Sequence, residues 1–275
     1  MSRPMSHVRP ADRPSRHAAE SWSAASSMHA RVVGAVIMRD LQTRFGTGYF
    51  GFLLGLVMPL GHLTVAIGVT LLLGRPAPLG SDNAVFLMTG VLPFILWLYS
   101  HRQIMLTLAQ NRPLLYFPGV DVFDLFAARI ILEVVTGTLV VIIVLATLSI
   151  LGHDLLIYSW RGFVFALILS WILGIATGLA FGALGAFAPV AFLFGNIIGP
   201  LLWAISGIFF LPDSLPDVVR TILSYNPLCQ IIDCLRVAYY SEYSSSFFDP
   251  YILYVSILVL LAVGMIFIPI VRKVV

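Results

Sequence analysis

The sequence predicts an all-α membrane protein with six transmembrane helices, an N-terminal amphipathic interface helix and two re-entrant helices before the last span. Three observations support this fold class. The 275 residues are 59% hydrophobic and only 11% charged, against about 25% charged residues in soluble domains. The mean hydropathy is +0.97. Six stretches approach the length of about 20 apolar residues that a spanning helix needs.

Residues 1–27 form a polar segment rich in Ser, Arg, Pro and Ala. They lack the apolar core and the cleavage site of a signal peptide, so we expect a disordered cytosolic tail. A transit peptide has a similar composition and is the competing interpretation. The remaining residues, 28–275, are expected to form one transmembrane domain.

An imperfect amphipathic pattern occupies residues 28–46. Apolar residues recur at helical spacing along one side, although Asp40 and Arg44 fall near that side as an i,i+4 pair. Such a helix can lie in the cytosolic membrane interface with its arginines at the lipid headgroups. An ordinary cytosolic lead-in is the alternative.

Six apolar stretches account for most of the remaining chain. We expect spans at about residues 50–73, 84–106, 125–151, 162–188, 190–211 and 251–271. Pro189 separates the fourth from the fifth, and a tight hairpin is needed there because one helix of that length would overshoot the membrane. Gly174, Gly178 and Gly182 share one face of the fourth span, which favours close helix packing within one subunit over a dimer seam.

The basic residues predict the orientation of the spans. With the N-terminus inside, twelve of the sixteen basic residues fall on the cytosolic side, and four fall in the outer segments: Arg75, Arg161, Arg220 and Arg236. Cytosolic loops of membrane proteins carry such an excess of Lys and Arg. Both termini are therefore expected to be cytosolic.

Two connecting segments differ from ordinary polar loops. Residues 109–121, on the cytosolic side, expose an apolar Leu-Leu-Tyr-Phe run between two prolines. We interpret them as a docking element for a partner protein, and a loop folded onto the bilayer is the alternative. Residues 212–250, on the outer side, carry two helical patterns broken at Asn226-Pro227. They are too apolar for water and too interrupted to span, which predicts two short helices dipping into the outer surface.

Catalytic signatures are missing from the sequence. There is no P-loop pattern, and Lys273 is the only lysine, so ATP-driven work would require a separate ATPase. No metal-ligand spacing occurs, and no metal site is expected. Cys229 and Cys234 lie five positions apart on one predicted helix, which would point their side chains apart and disfavours a structural disulfide.

Few ionisable residues fall within the apolar stretches. Arg129 and Glu133 lie four positions apart and can pair along one helix, with Asp124 one turn earlier. His62 lies in the middle of the first stretch, and we interpret it as hydrogen-bonded to a neighbouring helix. A proton-coupled carrier would require more acidic groups at mid-membrane. Structural roles are therefore favoured over a proton relay.

The order of these features resembles the permease subunit of a type II ABC exporter. Three local strings resemble those of polysaccharide exporters. They are Arg39-Asp40-Leu41-Gln42-Thr43-Arg44-Phe45-Gly46, Asn111-Arg112-Pro113-Leu114-Leu115-Tyr116, and the stretch from Leu211-Pro212 to Tyr225-Asn226-Pro227-Leu228. Over roughly residues 30–275 the chain is similar to the capsular polysaccharide export inner-membrane permeases of Gram-negative bacteria.

This resemblance implies a homodimeric permease in the bacterial inner membrane, working with two copies of a cytosolic ABC ATPase. ATP and Mg would be held by that ATPase, and this chain would bind no cofactor and no nucleic acid. The substrate would be a lipid-linked acidic polysaccharide, passed on to periplasmic adaptor and outer-membrane export proteins. One subunit of six helices can hardly enclose a sugar chain, which independently favours a dimer.

The resemblance also assigns roles to particular residues. Residues 109–121 would be the coupling loop and would dock the ATPase through Asn111, Arg112, Leu114, Leu115, Tyr116 and Phe117. Residues 212–246 would form the periplasmic gate, with Tyr225, Asn226, Pro227, Arg236, Tyr239 and Tyr240. The cytosolic mouth of the path would carry Arg39, Arg44 and Arg102. Aromatic rings that stack on sugars while permitting sliding would line the path, unless they face lipid: Tyr49, Phe52, Trp97, Trp203, Phe209 and Phe210.

Two other functions share parts of this pattern. An exporter of O-antigen, teichoic acid, a drug or another lipid-linked glycan or lipid would have the same topology. A secondary carrier would require an internal repeat and ion ligands at mid-membrane, and neither is clear in the sequence.

Overall fold

The computed structural model describes the backbone of residues 15–45, 49–74 and 76–274, and the side chains of residues 27–43, 57, 60–70, 72–74 and 76–271. Within these ranges the chain forms ten α-helices joined by loops and short 3-10 turns. The helices are α1 (Ser15–Phe45), α2 (Tyr49–Leu72), α3 (Asn83–Met105), α4 (Thr107–Asn111), α5 (Val122–Ile150), α6 (Trp160–Phe187), α7 (Val190–Ile205), α8 (Asp217–Ser224), α9 (Pro227–Tyr239) and α10 (Pro250–Val274).

Helix α1 begins at Ser15, well before the predicted boundary at residue 28. Residues 15–27 contain four alanines and no Pro or Gly, so they favour helix over a disordered tail. Residues 1–14 of the predicted tail lie outside the described residues. The apolar side of α1 packs against protein, because Val36 is buried in a cluster with Leu125 and Ala128 of α5.

Four helical stretches of the described chain are long and apolar enough to cross a membrane: Asn83–Met105, Val122–Ile150, Trp160–Phe187 and Pro250–Val271. Two further apolar stretches, Leu60–Thr70 and Val190–Ile205, are shorter. The second of these is α7, and it stops before the predicted end of the fifth span at residue 211. Residues 206–210 are non-helical because Gly207 has a φ of 80°, a left-handed conformation that favours glycine.

Helix α6 carries α3 on its glycine face, formed by Gly174, Gly178 and Gly182. A Cβ atom at any of these positions would lie 2.8–2.9 Å from a carbonyl oxygen of α3, those of Trp97, His101 and Met105. The two backbones are thus in direct contact. The prediction that these glycines pack helices within one subunit is confirmed, and α10 approaches α6 similarly through Gly264.

Residues 212–250 contain two short helices, α8 and α9, as the sequence predicted. Asn226 caps α9 by accepting hydrogen bonds from the backbone N–H groups of Leu228 and Cys229, and Pro227 occupies its first turn. Helix α9 is buried in the same apolar core as α3 and α6, whereas α8 exposes Val218 and Ile222. The break at Asn226-Pro227 is therefore confirmed.

The first prediction tests the contact between α3 and α6. In Gly178→Ala, the new Cβ would lie 2.8 Å from Ile104 Cβ and 2.9 Å from the His101 carbonyl oxygen. Because a helix backbone cannot yield easily, we expect a loss of about 1–3 kcal/mol of stability. Thermal unfolding in detergent measures this loss. Gly68→Ala is the matched control, since its Cβ would meet nothing within 4 Å. Equal melting temperatures for the two variants would contradict the packing argument.

Candidate functional site

A groove of about 630 Å³ runs along one side of the bundle between α2, α3 and α7. Most of its lining is apolar, and its polar groups come from His62, Arg102 and Asn196. Its aromatic lining includes Phe94 and Trp203, whose ring centroids are 4.8 Å apart. The groove therefore offers ring surfaces and a single guanidinium to a ligand.

His62 connects the walls of this groove. Its Nδ1 lies 3.4 Å from the hydroxyl of Tyr99 on α3, and its ring meets the rings of Tyr99 and Trp203 edge-on, with centroids 5.9 and 5.6 Å away. The prediction that His62 bonds to a neighbouring helix is confirmed. The contact joins α2 to both α3 and α7.

The aromatic lining continues toward the end of the bundle that carries α8 and α9. Trp203 meets Phe209 edge-on, with centroids 5.8 Å apart. Phe209 and Phe210 line a second cavity of about 440 Å³, together with Phe86. Three of the predicted path residues, Trp203, Phe209 and Phe210, thus line adjoining cavities.

Trp97 does not belong to this lining, contrary to the prediction. Its side chain is fully buried and stacks parallel on His101, with ring centroids 5.3 Å apart. The Nε2 atom of His101 lies 2.9 Å from the carbonyl oxygen of Gly195 on α7. Because α3 lies directly on α6, this ring is covered by the core. The side chains of Tyr49 and Phe52, also predicted for the path, lie outside the described residues.

A fully buried arginine, Arg236 of α9, clasps the non-helical segment that follows α7. Its Nη1 donates to the Phe210 carbonyl oxygen at 2.9 Å, and its Nη2 donates to the Ile208 carbonyl oxygen at 3.0 Å. Its Nε lies 3.4 Å from Thr89 Oγ1, and its Cζ lies 4.1 Å from the centre of the Phe86 ring. Irregular backbone inside a membrane protein needs such internal partners.

The guanidinium of Arg236 keeps its charge despite its burial. Burial lowers the pKa of Arg236 to about 10, while nearby Asp233 opposes this shift, so the group is cationic at neutral pH. Asp233 itself accepts a hydrogen bond from the hydroxyl of Tyr243 at 2.7 Å, and burial raises the pKa of this carboxyl. The clasp is therefore a cation held against carbonyl dipoles.

The other predicted gate residues do not lie together in the structure. Asn226 donates from Nδ2 to Ser206 Oγ at 2.9 Å, so the start of α9 is tied to the end of α7. Tyr239 and Tyr240 line a separate cavity on the side of the α5–α6 loop. Tyr225 is exposed. Only part of the predicted gate thus contacts the segment after α7.

A buried polar cluster, the inner polar cluster, joins α1, α3, α4 and α5. Arg129 of α5 donates from Nη1 to Asp40 Oδ2 at 3.1 Å, and from Nη2 to the side-chain oxygens of Gln103 and Gln110, each at 2.8 Å. The sequence predicted that Arg129 can pair with Glu133, and Asp40 with Arg44, each along one helix. The structure adds the pair between Arg129 and Asp40 on different helices. The side chain of Arg44 lies outside the described side chains.

The inner polar cluster extends to the loop after α4 through Arg39. Its Nη2 donates to Asp40 Oδ1 at 2.6 Å and to Asn111 Oδ1. Close by, His29 Nδ1 lies 2.8 Å from Asp124 Oδ1 at the start of α5. Helix α1 is thus attached to both ends of the 109–121 segment. Arg102, also predicted for the cytosolic mouth, lines the groove.

The 109–121 segment exposes a smaller apolar surface than predicted. Leu114 and Leu115 are half-buried because they pack against the apolar residues of α1 and α5. Tyr116 and Phe117 are 75% and 61% exposed. Asn111, also predicted for docking, is buried. Of the six residues predicted for docking, Arg112, Tyr116 and Phe117 are exposed.

The part of the chain that the structure describes holds no group of three His, Cys, Asp or Glu residues able to bind a metal ion. Cys229 and Cys234 are free thiols. Burial raises the pKa of Cys229 to about 12 and that of Cys234 to about 11, so both are protonated at neutral pH. Their reactivity toward alkylating reagents is therefore low in the folded state.

The second prediction tests the Arg236 clasp. Arg236→Met would leave two buried carbonyl oxygens without their donors, and each loss costs about 1–3 kcal/mol. The segment after α7 should loosen and expose Cys229, whose Sγ packs against Gly207. In a Cys234→Ser background, we expect maleimide to label Cys229 about tenfold faster or more. Arg161→Met, which removes an exposed arginine at the start of α6, should leave the rate unchanged. An unchanged rate in Arg236→Met would exclude the clasp.

Comparison with known proteins finds relatives of this chain among export proteins. No family model matches the chain. It is 27% identical over 258 residues to the capsule polysaccharide export inner-membrane protein CtrC of Neisseria meningitidis serogroup B, covering 90% of this chain and 94% of that protein. It is 29% identical over 245 residues to BexB of Haemophilus influenzae, a protein of the same description, with 87% and 91% covered. It is 27% identical over 214 residues to the polysialic acid transport protein KpsM of Escherichia coli, with 78% and 83% covered. The chain is thus a homologue of capsule polysaccharide export inner-membrane proteins over most of its length, which confirms the predicted resemblance.

Proposed function

We propose that this chain is the permease subunit of an ATP-driven exporter that moves a lipid-linked capsular polysaccharide across the bacterial inner membrane. The similarity to CtrC, BexB and KpsM over most of the chain carries this proposal, because all three are named for capsule export or polysialic acid transport. The long apolar helices support a role within the membrane. The aromatic groove supports a role in transport.

The proposed topology has six spans, α2, α3, α5, α6, α7 and α10, with both termini in the cytosol. The distribution of basic residues supports this orientation. The fifth span would consist of α7 and the non-helical segment 206–211. Helices α8 and α9 would lie in the outer surface as the periplasmic gate. The Arg236 clasp would then hold the outer end of the path.

The groove between α2, α3 and α7 is the proposed path of the polymer. Arg102 lies at its cytosolic end in this topology, where a cation would attract an acidic glycan. The rings of Phe94 and Trp203 would offer weak contacts along the way, and conduction requires binding that is weak enough for release. The groove is open on one side, and a second copy of the chain would close it. This arrangement supports a homodimer.

The energy would come from two copies of a cytosolic ABC ATPase, which would hold ATP and Mg, because this sequence has no P-loop. The exposed Tyr116 and Phe117 would dock that ATPase. The inner polar cluster would pass the movement of the docking segment to α1, α3 and α5. The chain itself would bind no cofactor, and it would deliver the polymer to periplasmic adaptor and outer-membrane proteins.

The third prediction tests the topology. Reporter fusions after Gly80, Asp121 and Ser245 should read outside, inside and outside, because each position lies in a loop between proposed spans. Alkaline phosphatase activity reports an outside location, and fluorescence of a cytosolic reporter gives the complementary signal. An inside reading at Ser245 would refute the six-span arrangement.

The fourth prediction tests export and docking together. A strain lacking the gene should lose surface polysaccharide, and the wild-type chain should restore it. Tyr116→Ser/Phe117→Ser should fail to restore it and should lose the co-purifying ATPase, because burying each ring contributes up to about 1.5–3 kcal/mol. Its amount in the membrane should stay level, since both side chains are exposed.

Val190→Ser is the control, because it alters another exposed apolar residue at the same end of the bundle. It should export normally. Surface polysaccharide that persists without the gene would refute the export function. Normal export and ATPase binding by the double variant would refute only the docking role.

A further inference from the structure

A cavity of about 710 Å³ lies on the outer side of the bundle and shares no lining residue with the groove or with the cavity beyond it. We call it the outer acidic cavity. Its walls come from three places: the loop before α3, the α5–α6 loop, and the end of α9 with the residues that follow. It lies beside the proposed path and is separate from it.

Among the residues that the structure describes, the charged groups that line the outer acidic cavity are carboxylates, those of Asp82, Asp154 and Glu242. Burial would raise the pKa of Asp82, but a 2.5 Å contact with His153 and hydrogen bonds from backbone N–H groups outweigh it and lower this pKa. The cavity therefore holds negative charge and repels an acidic polymer.

Exposed aromatic rings at the rim of the cavity suit a ligand that carries a cation. Tyr158 and Trp160 there are 70% and 59% exposed, and such rings attract Lys and Arg side chains. Tyr239 forms part of the wall and is 97% buried.

The walls of the cavity are joined by backbone hydrogen bonds. The N–H of Tyr158 donates to the Tyr239 carbonyl oxygen at 3.1 Å, and the N–H of Ser159 donates to the Ala238 carbonyl oxygen at 2.8 Å. The site is therefore largely preformed, which lowers the entropic cost of binding. One of its three walls comes from the end of α9, the helix that also carries Arg236.

We propose that the outer acidic cavity binds a lysine- or arginine-bearing segment of a partner membrane protein. The proposal rests on the outward orientation given above. Its argument is charge complementarity: the carboxylates of Asp154 and Glu242 are exposed, Asp82 adds a third carboxylate beside His153, and two exposed aromatic rings stand at the rim. Because α9 links the cavity to the Arg236 clasp, the partner would contact the helix that holds the end of the path.

The first test uses the full chain in nanodiscs of phosphatidylcholine, with a fluorescently labelled tetra-lysine peptide as the probe. We expect saturable binding that weakens as salt rises. Asp154→Asn/Glu242→Gln should weaken it about three- to tenfold, because two exposed ion pairs are lost. Asp217→Asn, an exposed carboxylate of α8 outside the cavity, is the matched control and should bind as the wild type does. Absent binding, or equal binding by the double variant, would overturn the proposal.

The second test identifies the partner in producing cells. A photo-crosslinking amino acid at Leu156, which is 81% exposed and lines the cavity, should form a product with a membrane protein through a segment containing Lys or Arg. The double variant should lose this product, and Asp217→Asn should retain it. Products with lipid alone would overturn the proposal. Peptide binding does not require export, so a failure of the export function would be seen separately.

Discussion

The close contact between α3 and α6 determines where every other feature lies. Because glycines form the facing side of α6, the backbone of α3 rests directly on it and occupies the centre of the bundle. From there α3 supplies Phe94 and Arg102 to the groove, Thr89 to the Arg236 clasp and Gln103 to the inner polar cluster. A larger spacing between these two helices would displace all three sites together.

The positions of the helices were largely predictable from the sequence. Apolar length located α3, α5, α6 and α10, and the Asn-Pro pair located the start of α9, because these signals act within a few neighbouring residues. The early end of α7 was not predicted. Its non-helical continuation is stable because a side chain 26 and 28 positions later supplies hydrogen-bond donors, which no local pattern reveals.

Contacts between distant side chains were harder to predict for the same reason. Arg129 meets Asp40 from 89 positions away, so the spacing of charges along one helix could not identify this pair. The buried position of Trp97 depends on which face of α3 meets α6, and an apolar helix gives no sign of its inward face. The exposed rings of Tyr116 and Phe117 were found because two prolines bound a short apolar run.

The Arg236 clasp has a consequence for how such a protein can diversify. The guanidinium holds main-chain carbonyl oxygens, which are present whatever residue occupies those positions. These hydrogen bonds are therefore independent of the side chains at positions 209 and 210, which line the second cavity, beyond the groove. Under the proposed function, a lineage can exchange these two side chains to suit a polymer of another width or charge and still keep the Arg236 clasp.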